Sequence, residues 1–351
     1  MTRVLHTADV HLTPDAPERQ EALKTLLRRA GTNDIDVVTI GGDLFDNPED
    51  MEQLRTDLRN DLFSERSFEI VLIPGNHDVE AYRGDVFFGD ACTVFTEEPF
   101  GHWTAPDGDM RITGLPYREQ PDDELLLSLQ DREQFEGTEV LLLHCSLNAP
   151  FDDYETGEEG TRRYFPVTEK LLAELGFDYY LAGHYHSPHK VSFSTGAEFT
   201  YSGTPASTST SETGQRRVSI LDPTDGIGFE TLETHHYASR RFTAVPGDEL
   251  SLLDDVREWS EQHAIECADA SIHVDGFVEM GEEEFHEELT AAAEPATVTN
   301  ETRSVDHVLS HPLFRSFEDE IEKTDWDDET RENVTNRTLE VFSQLSARGE
   351  I

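Results

Sequence analysis

The sequence has 351 residues, enough for about two domains with a sizeable core. Its 74 acidic residues stand against 27 lysines and arginines, only four of them lysine (Lys24, Lys170, Lys190, Lys323), and the formal net charge of −47 excludes an overall basic footprint of the kind nucleic-acid binders carry. Apolar periodicity survives between the carboxylates, which argues against a disordered acidic chain and for a solvated acidic surface suited to high intracellular salt, as in proteins of halophiles.

In chain order, "RVL", "DVVTI" and "EIVLIP" read as short buried strands, separated by the helical patterns "PERQEALKTLLRRA" and "PEDMEQLRTDLRNDLF". That alternation predicts βαβ units and a largely parallel sheet. "MRITGL", "EVLLLHC", the helix "VTEKLLAELG" and "DYYLAGH" continue it. After His186 the runs "HKVSFS", "EFTYSG", "RRVSIL" and "GFETLETHHY" are spaced by turn residues and predict an antiparallel sheet. A small α/β unit follows from about residue 240. The tail holds two helical patterns, the second placing Val334, Val341, Phe342 and Leu345 on one face. The expected divisions are 1–238, 239–300 and 301–351. Three scattered cysteines (Cys92, Cys145, Cys267) give neither a disulfide framework nor a zinc knuckle. No stretch reaches about 18 apolar residues and no leader pattern opens the chain, so the expected location is cytoplasmic, away from any membrane.

Five short motifs stand mostly where strands stop: "ADVH" (Asp9, His11), "GGDLFD" (Asp43, Asp46), "GNHD" (Asn76, His77), "LLLHC" (His144) and "LAGHYH" (His184, His186). Each alone reads more often as turn, rim or surface material than as a ligand. Together, on an open α/β frame whose strand ends gather ligands, they predict one crevice. Oxygen and imidazole donors without thiolate suit manganese, iron or zinc, and there are enough for two ions. Two such cations can activate a bridging water and polarise a phosphoryl group, the chemistry of phosphoester hydrolysis.

This ordered set resembles the calcineurin-like metallophosphoesterase superfamily, with the pattern D-x-H, G-D-x-x-D, G-N-H-[DE], a lone His and G-H-x-H, over residues 3 to about 236. The resemblance implies a four-layer αββα sandwich of two mixed sheets flanked by helices, followed by a small α/β cap and C-terminal helices. It implies that Asp9, His11, Asp43 and His186 hold one divalent ion and Asp43, Asn76, His144 and His184 a second, with Asp43 shared and Mn²⁺ the expected metal. His77 then looks like the residue that stabilises the transition state or protonates the leaving oxygen, with Asp46 orienting it.

Within the superfamily, "RVLHTADVHL" and "YSGTPASTSTSETGQRRVSIL" look like segments of SbcD-type DNA repair nucleases. That likeness implies a DNA exonuclease subunit whose C-terminal helices dock on an SMC-like ABC ATPase of the SbcC type, with a homodimer left open. Arginine pairs remain as candidate DNA contacts: Arg162–Arg163 first, in the polar insertion after His144, then Arg216–Arg217 and Arg240–Arg241. Two other readings stay open, a hydrolase of small phosphodiesters or phosphomonoesters and a non-catalytic scaffold on the same fold.

Overall fold

A computed structural model describes residues 1–84, 86–148, 164–309 and 311–347. Two units divide the chain, Met1–His236 and Tyr237–Ile351.

The first unit begins with β1 (Val4–Thr7), α1 (Pro17–Thr32), β2 (Val37–Ile40), α2 (Pro48–Asp57), β3 (Glu69–Leu72) and β4 (Cys92–Val94). It continues with β5 (Gly101–Thr104), β6 (Met110–Gly114), α3 (Asp123–Gln130), β7 (Thr138–His144), the short pair β8 (Ser146–Leu147) and β9 (Pro166–Val167), α4 (Glu169–Leu175) and β10 (Tyr179–Gly183). Two hairpins close it, β11 (His189–Ser192) with β12 (Glu198–Tyr201), and β13 (Arg217–Asp222) with β14 (Gly226–Thr231).

These strands form two six-stranded mixed sheets, ordered β14-β13-β1-β2-β3-β4 and β11-β12-β10-β7-β6-β5. The single antiparallel sheet expected after His186 does not form. Instead β12 lies parallel to β10 in the second sheet, and β13 lies antiparallel to β1 in the first. A hairpin fixes the pairing of its own two strands but not the sheet edge on which it lands.

The layering follows from strand alternation. Val4, Val37 and Val71 of the first sheet meet Ile112, Val140, Leu142 and Leu181 of the second in a dry inner core. The alternate residues Leu5, Val38, Ile70 and Leu72 face outward onto Leu23, Leu26 and Leu27 of α1 and Met51 of α2. On the other side Leu141, Leu143 and Tyr180 face Leu125 and Leu129 of α3 and Leu172 and Leu175 of α4. Both sheets are therefore covered on both faces, which is why "VVTI" and "VLLLH" read as continuous apolar runs. The result is the four-layer sandwich of two mixed sheets with flanking helices.

The second unit holds β15 (His236–Ala244), α5 (Glu249–His263), β16 (Ala268–Val278), α6 (Glu282–Ala293), β17 (Thr297–Asn300), β18 (Arg303–Ser304), α7 (Asp306–Leu309), α8 (Pro312–Glu322) and α9 (Asp328–Ala347). Leu253 and Val256 of α5 and Phe285 and Leu289 of α6 pack on Ile272 and Val274 of β16. Val305, Val308, Phe314 and Leu339 form a smaller cluster against Phe277, so the segments expected at 239–300 and 301–351 share this unit. On α9 the packing face centres on Leu339 and Phe342, whereas Val341 is exposed, unlike the face expected from the sequence. Among the described residues, no helix is long and apolar enough to cross a membrane.

Candidate metal centre

The segments that follow β1, β2, β3, β7 and β10 converge. After β1 and β2 the chain continues as a paired ribbon: the amides of Asp9 and His11 donate to the carbonyls of Gly42 and Asp43, both at 3.0 Å, and Leu12 donates to Leu44 at 2.9 Å. Asp9, His11 and Asp43 lie in the left-handed region at φ 54°, 49° and 50°, and His184 has φ 115°. Such backbone costs about 1–3 kcal/mol per residue and persists only where the surroundings over-determine it. Here it turns successive side chains inward. Glycine is obligatory beside them: at Gly42 (φ 101°) a Cβ would lie 2.3 Å from His144 Nδ1, and at Gly75 one would lie 2.1 Å from Asp43 Oδ1.

Asp9, His11 and His186 bring one donor atom each within 4.8 Å of one another, and so do Asp9, Asp43 and His144, and also His11, Asp46 and His77. All but Asp46 and His77 are buried. The Asp9 carboxylate receives the His184 amide at 3.0 Å, and Asp43 Oδ1 receives the His77 amide at 2.8 Å.

The histidines are oriented by their outer nitrogens. His144 Nδ1 lies 2.8 Å from the Gly41 carbonyl, so that nitrogen carries the proton and Nε2 points its lone pair at Asn76 Oδ1 (2.9 Å) and Asp43 Oδ2 (3.3 Å). His186 Nδ1 meets Glu212 Oε1 at 2.6 Å, and His11 Nδ1 meets Asp46 Oδ1 at 3.3 Å. Their Nε2 atoms face each other at 3.2 Å beside Asp9. Lone pairs and carboxylate oxygens aimed at the same points repel one another unless positive charge sits between them. The donor chemistry therefore fits two divalent cations, held by imidazole nitrogen and by carboxylate and amide oxygen.

Without an ion, a proton shared at His144 takes the place of that positive charge. Burial alone would push Asp43 up, yet His144, with His11 and His77, holds it below the usual carboxylate range. Burial opposes charge on His144, but Asp43 and Asp9 outweigh it and lift this histidine to about 9. Asp9 is raised, by burial first. Asp78 is pushed to about 7 by burial and then by Asp43, while accepting the Gly75 and Phe45 amides at 2.8 and 3.1 Å.

Of the residues singled out from the sequence, Asp9, His11, Asp43, Asn76, His144 and His186 are brought together with donor atoms inward. His184 joins through its amide, and its ring packs edge-on to His144 at 5.5 Å between centroids. Among the clustered donors Asp9 is common to both buried sets, and Asp43 lies in the second beside His144. His77 lies half-buried at the rim, its ring 4.8 Å from that of His11. Asp46 was expected to orient His77 with its carboxylate. His77 Nδ1 donates to the Asp46 main-chain carbonyl at 3.2 Å, and the carboxylate lies against His11 and Arg19, in one donor cluster with His77.

Arg162 and Arg163 lie outside the described residues. Arg216 is no surface cation: it is buried and donates to the carbonyls of His186 (2.6 Å) and Thr204 (3.1 Å). Sequence reasoning missed Glu212 and Arg19. The first sits in a Ser/Thr-rich run ahead of β13 and does not follow a strand as the other ligand blocks do; the second, on α1, donates to the His11 carbonyl at 2.8 Å.

A family model described as calcineurin-like phosphoesterase matches residues 2–188. No curated protein matches the sequence. Among solved structures, the chain is similar to TT1561 of Thermus thermophilus (14% identity, 66% of this chain and 98% of that one, TM-score 0.42). It is also similar to a dimetal phosphatase from Danio rerio (11%, 66% and 96%, 0.40) and to GAP50, the anchor in the inner membrane complex of Plasmodium (12%, 66% and 84%, 0.41). With its ligand blocks lying inside a match that spans more than half of its length, the chain belongs to the calcineurin-like phosphoesterase family.

Proposed function

We propose that this protein is a manganese-dependent phosphodiesterase that cleaves DNA, the nuclease subunit of a cytoplasmic double-strand-break repair complex whose ATPase partner is SMC-like, of the SbcC type. The observation that carries the hydrolase reading is the convergence of two buried donor sets with a half-buried histidine, His77, on their open side. When bound, the ions would supply Lewis acidity toward phosphoryl oxygens and a more acidic water. The chain's own contribution is positional. His77 is turned by its hydrogen bond to the Asp46 carbonyl so that proton exchange with a phosphate oxygen passes through Nε2. DNA as substrate is supported by the likeness of the 201–221 segment to repair nucleases, since that segment supplies Glu212 and Arg216 beneath His186.

A second reading, a hydrolase of small phosphodiesters or phosphomonoesters, is favoured by the fate of the arginine pairs: Arg216 is buried and Arg241 pairs with Asp275 at 2.7 Å. The test is hydrolysis in multimolar KCl with Mn²⁺, on linear duplex and single-stranded DNA beside a small chromogenic phosphodiester, with EDTA and His77→Ala controls. Manganese-dependent DNA degradation that disappears in the variant supports the nuclease; cleavage of the small ester alone selects the second reading.

A further inference from the structure

Glu212 lies 26 residues beyond His186 and is almost wholly enclosed, its side chain 1% exposed. Its two oxygens meet only donors. Oε1 takes the His186 Nδ1 hydrogen at 2.6 Å and the Thr208 hydroxyl at 2.5 Å; Oε2 takes the Thr208 amide at 2.9 Å and the Thr204 hydroxyl at 3.1 Å. Arg216 stands 3.7 Å from Oε2 and binds the Thr204 hydroxyl (2.6 Å) and the His186 carbonyl (2.6 Å), so it grips the histidine's main chain while Glu212 grips its ring.

An enclosed carboxylate with this many donors has no role in the inner core, whose contacts are apolar. What it controls is one ring. By committing the His186 proton to Nδ1, it leaves Nε2 as a lone pair facing His11 Nε2 and the Asp9 carboxylate. We propose that Glu212 is a positioning residue that fixes the His186 tautomer and rotamer, and thereby sets the affinity of one of the two cation sites, the one built on Asp9, His11 and His186. The inference rests on the metal reading given above.

Glutamine is the informative replacement. Its single carbonyl oxygen can serve either the Thr208 amide or His186, not both. If it serves Thr208, the NH₂ faces Nδ1, the proton moves to Nε2, and His186 can no longer ligate. Glu212→Asp keeps the charge beside Arg216 but shortens the reach to the ring by one methylene.

The test is Mn²⁺ titration of the full chain in KCl, with bound ion read by electron paramagnetic resonance, together with unfolding temperatures in EDTA. Glu212→Gln and Glu212→Asp should each weaken one of two Mn²⁺ by about 10–100-fold. The other ion should hold within about threefold, and the EDTA unfolding temperature should stay near that of the parent. Parent-like binding of both ions in the variants overturns the proposal. So does equal weakening of both ions with a lowered EDTA unfolding temperature, because that is the signature of a merely structural role. Absence of Mn²⁺ binding by the parent protein overturns the metal reading itself.

Discussion

Gly75→Ala tests the geometry of the centre without removing any ligand. A Cβ at Gly75 would lie 2.1 Å from Asp43 Oδ1 and 2.5 Å from both Asp43 Cγ and the Asp43 main-chain nitrogen. Real Cβ contacts begin near 3.0–3.4 Å, so the carboxylate has to retreat by about 1 Å. It has little freedom to do so harmlessly. Oδ1 is tied to the His77 amide at 2.8 Å, Oδ2 lies 3.3 Å from His144, and the main chain at Asp43 already sits at φ 50°. The displacement therefore goes into the ligand, and a misplacement of about 1 Å at a reacting centre costs about 100-fold in rate. Steady-state hydrolysis of a chromogenic phosphodiester with Mn²⁺ reads the effect. Gly228→Ala, where a Cβ meets nothing within 4 Å, is the control and should be indistinguishable from the parent. Activity of Gly75→Ala within about threefold of the parent, with an unchanged unfolding temperature, would refute the claim that this turn is built around Asp43.

Removing metal should destabilise the first unit: at free Mn²⁺ about 100-fold above Kd, one site contributes about 2.7 kcal/mol, or roughly 5–10 °C in unfolding temperature. Coincident melts in Mn²⁺ and EDTA would contradict it. Buried His6 is held near pKa 4 against an ordinary 6.5, chiefly by burial, between Thr39 Oγ1 and the Ala182 carbonyl. Below pH 6.5 the unfolded chain binds a proton that the folded chain refuses, so stability is lost as pH falls from about 6.5 toward 4, by about 2 kcal/mol at pH 5. In EDTA, His6→Gln should shrink the drop in denaturant-derived stability between pH 7 and pH 5 by that amount; parallel pH profiles would exclude His6 as its source. With a net charge of −47, unfolding temperature should rise from 0.1 to about 2 M KCl as the Debye length falls from about 10 Å to under 3 Å. A flat profile would mean that the carboxylates do not repel enough to matter.

The centre was legible because its ligands are local. Asp9, Asp43, Asn76 and His184 stand within a few residues of a strand's end, so the alternation that identifies the strands also says where the side chains collect. The four-layer arrangement was legible for a related reason, since strands apolar on both faces require cover on both. Other features depended on distances the sequence does not carry. Glu212 and Arg216 look like surface polar residues until the hairpin β13–β14 is placed on β1, which brings the 203–216 segment beneath His186. The sequence does not say how the carboxylate of Asp46 divides between His11 and His77, whose rings lie edge to edge at 4.8 Å; in the fold it lies 3.3 Å from His11 Nδ1 and within the same donor cluster as His77.

The strained backbone explains why the ligands are scattered over five strand ends and not carried on one helix. A helix presents side chains at fixed spacing and cannot hold a run of residues at positive φ. Asp9, His11, Asp43 and His184 adopt it singly, and three of them are braced by a neighbour from another strand: Gly42 and Asp43 brace the first two through their carbonyls, and Asp9 braces the last through its carboxylate. The two sheets are dry and interlocked between Val4, Val71, Leu142 and Leu181, so the strand ends are anchored independently of the site they support. The cost of bringing Asp9 and Asp43 together in a buried pocket thus falls on a core that does not depend on them. Replacing the Asp9 carboxylate, which burial disfavours, by its amide should therefore lower Mn²⁺ affinity sharply while leaving the EDTA unfolding temperature equal to or above that of the parent. A lowered EDTA melt would mean that this carboxylate holds the fold together.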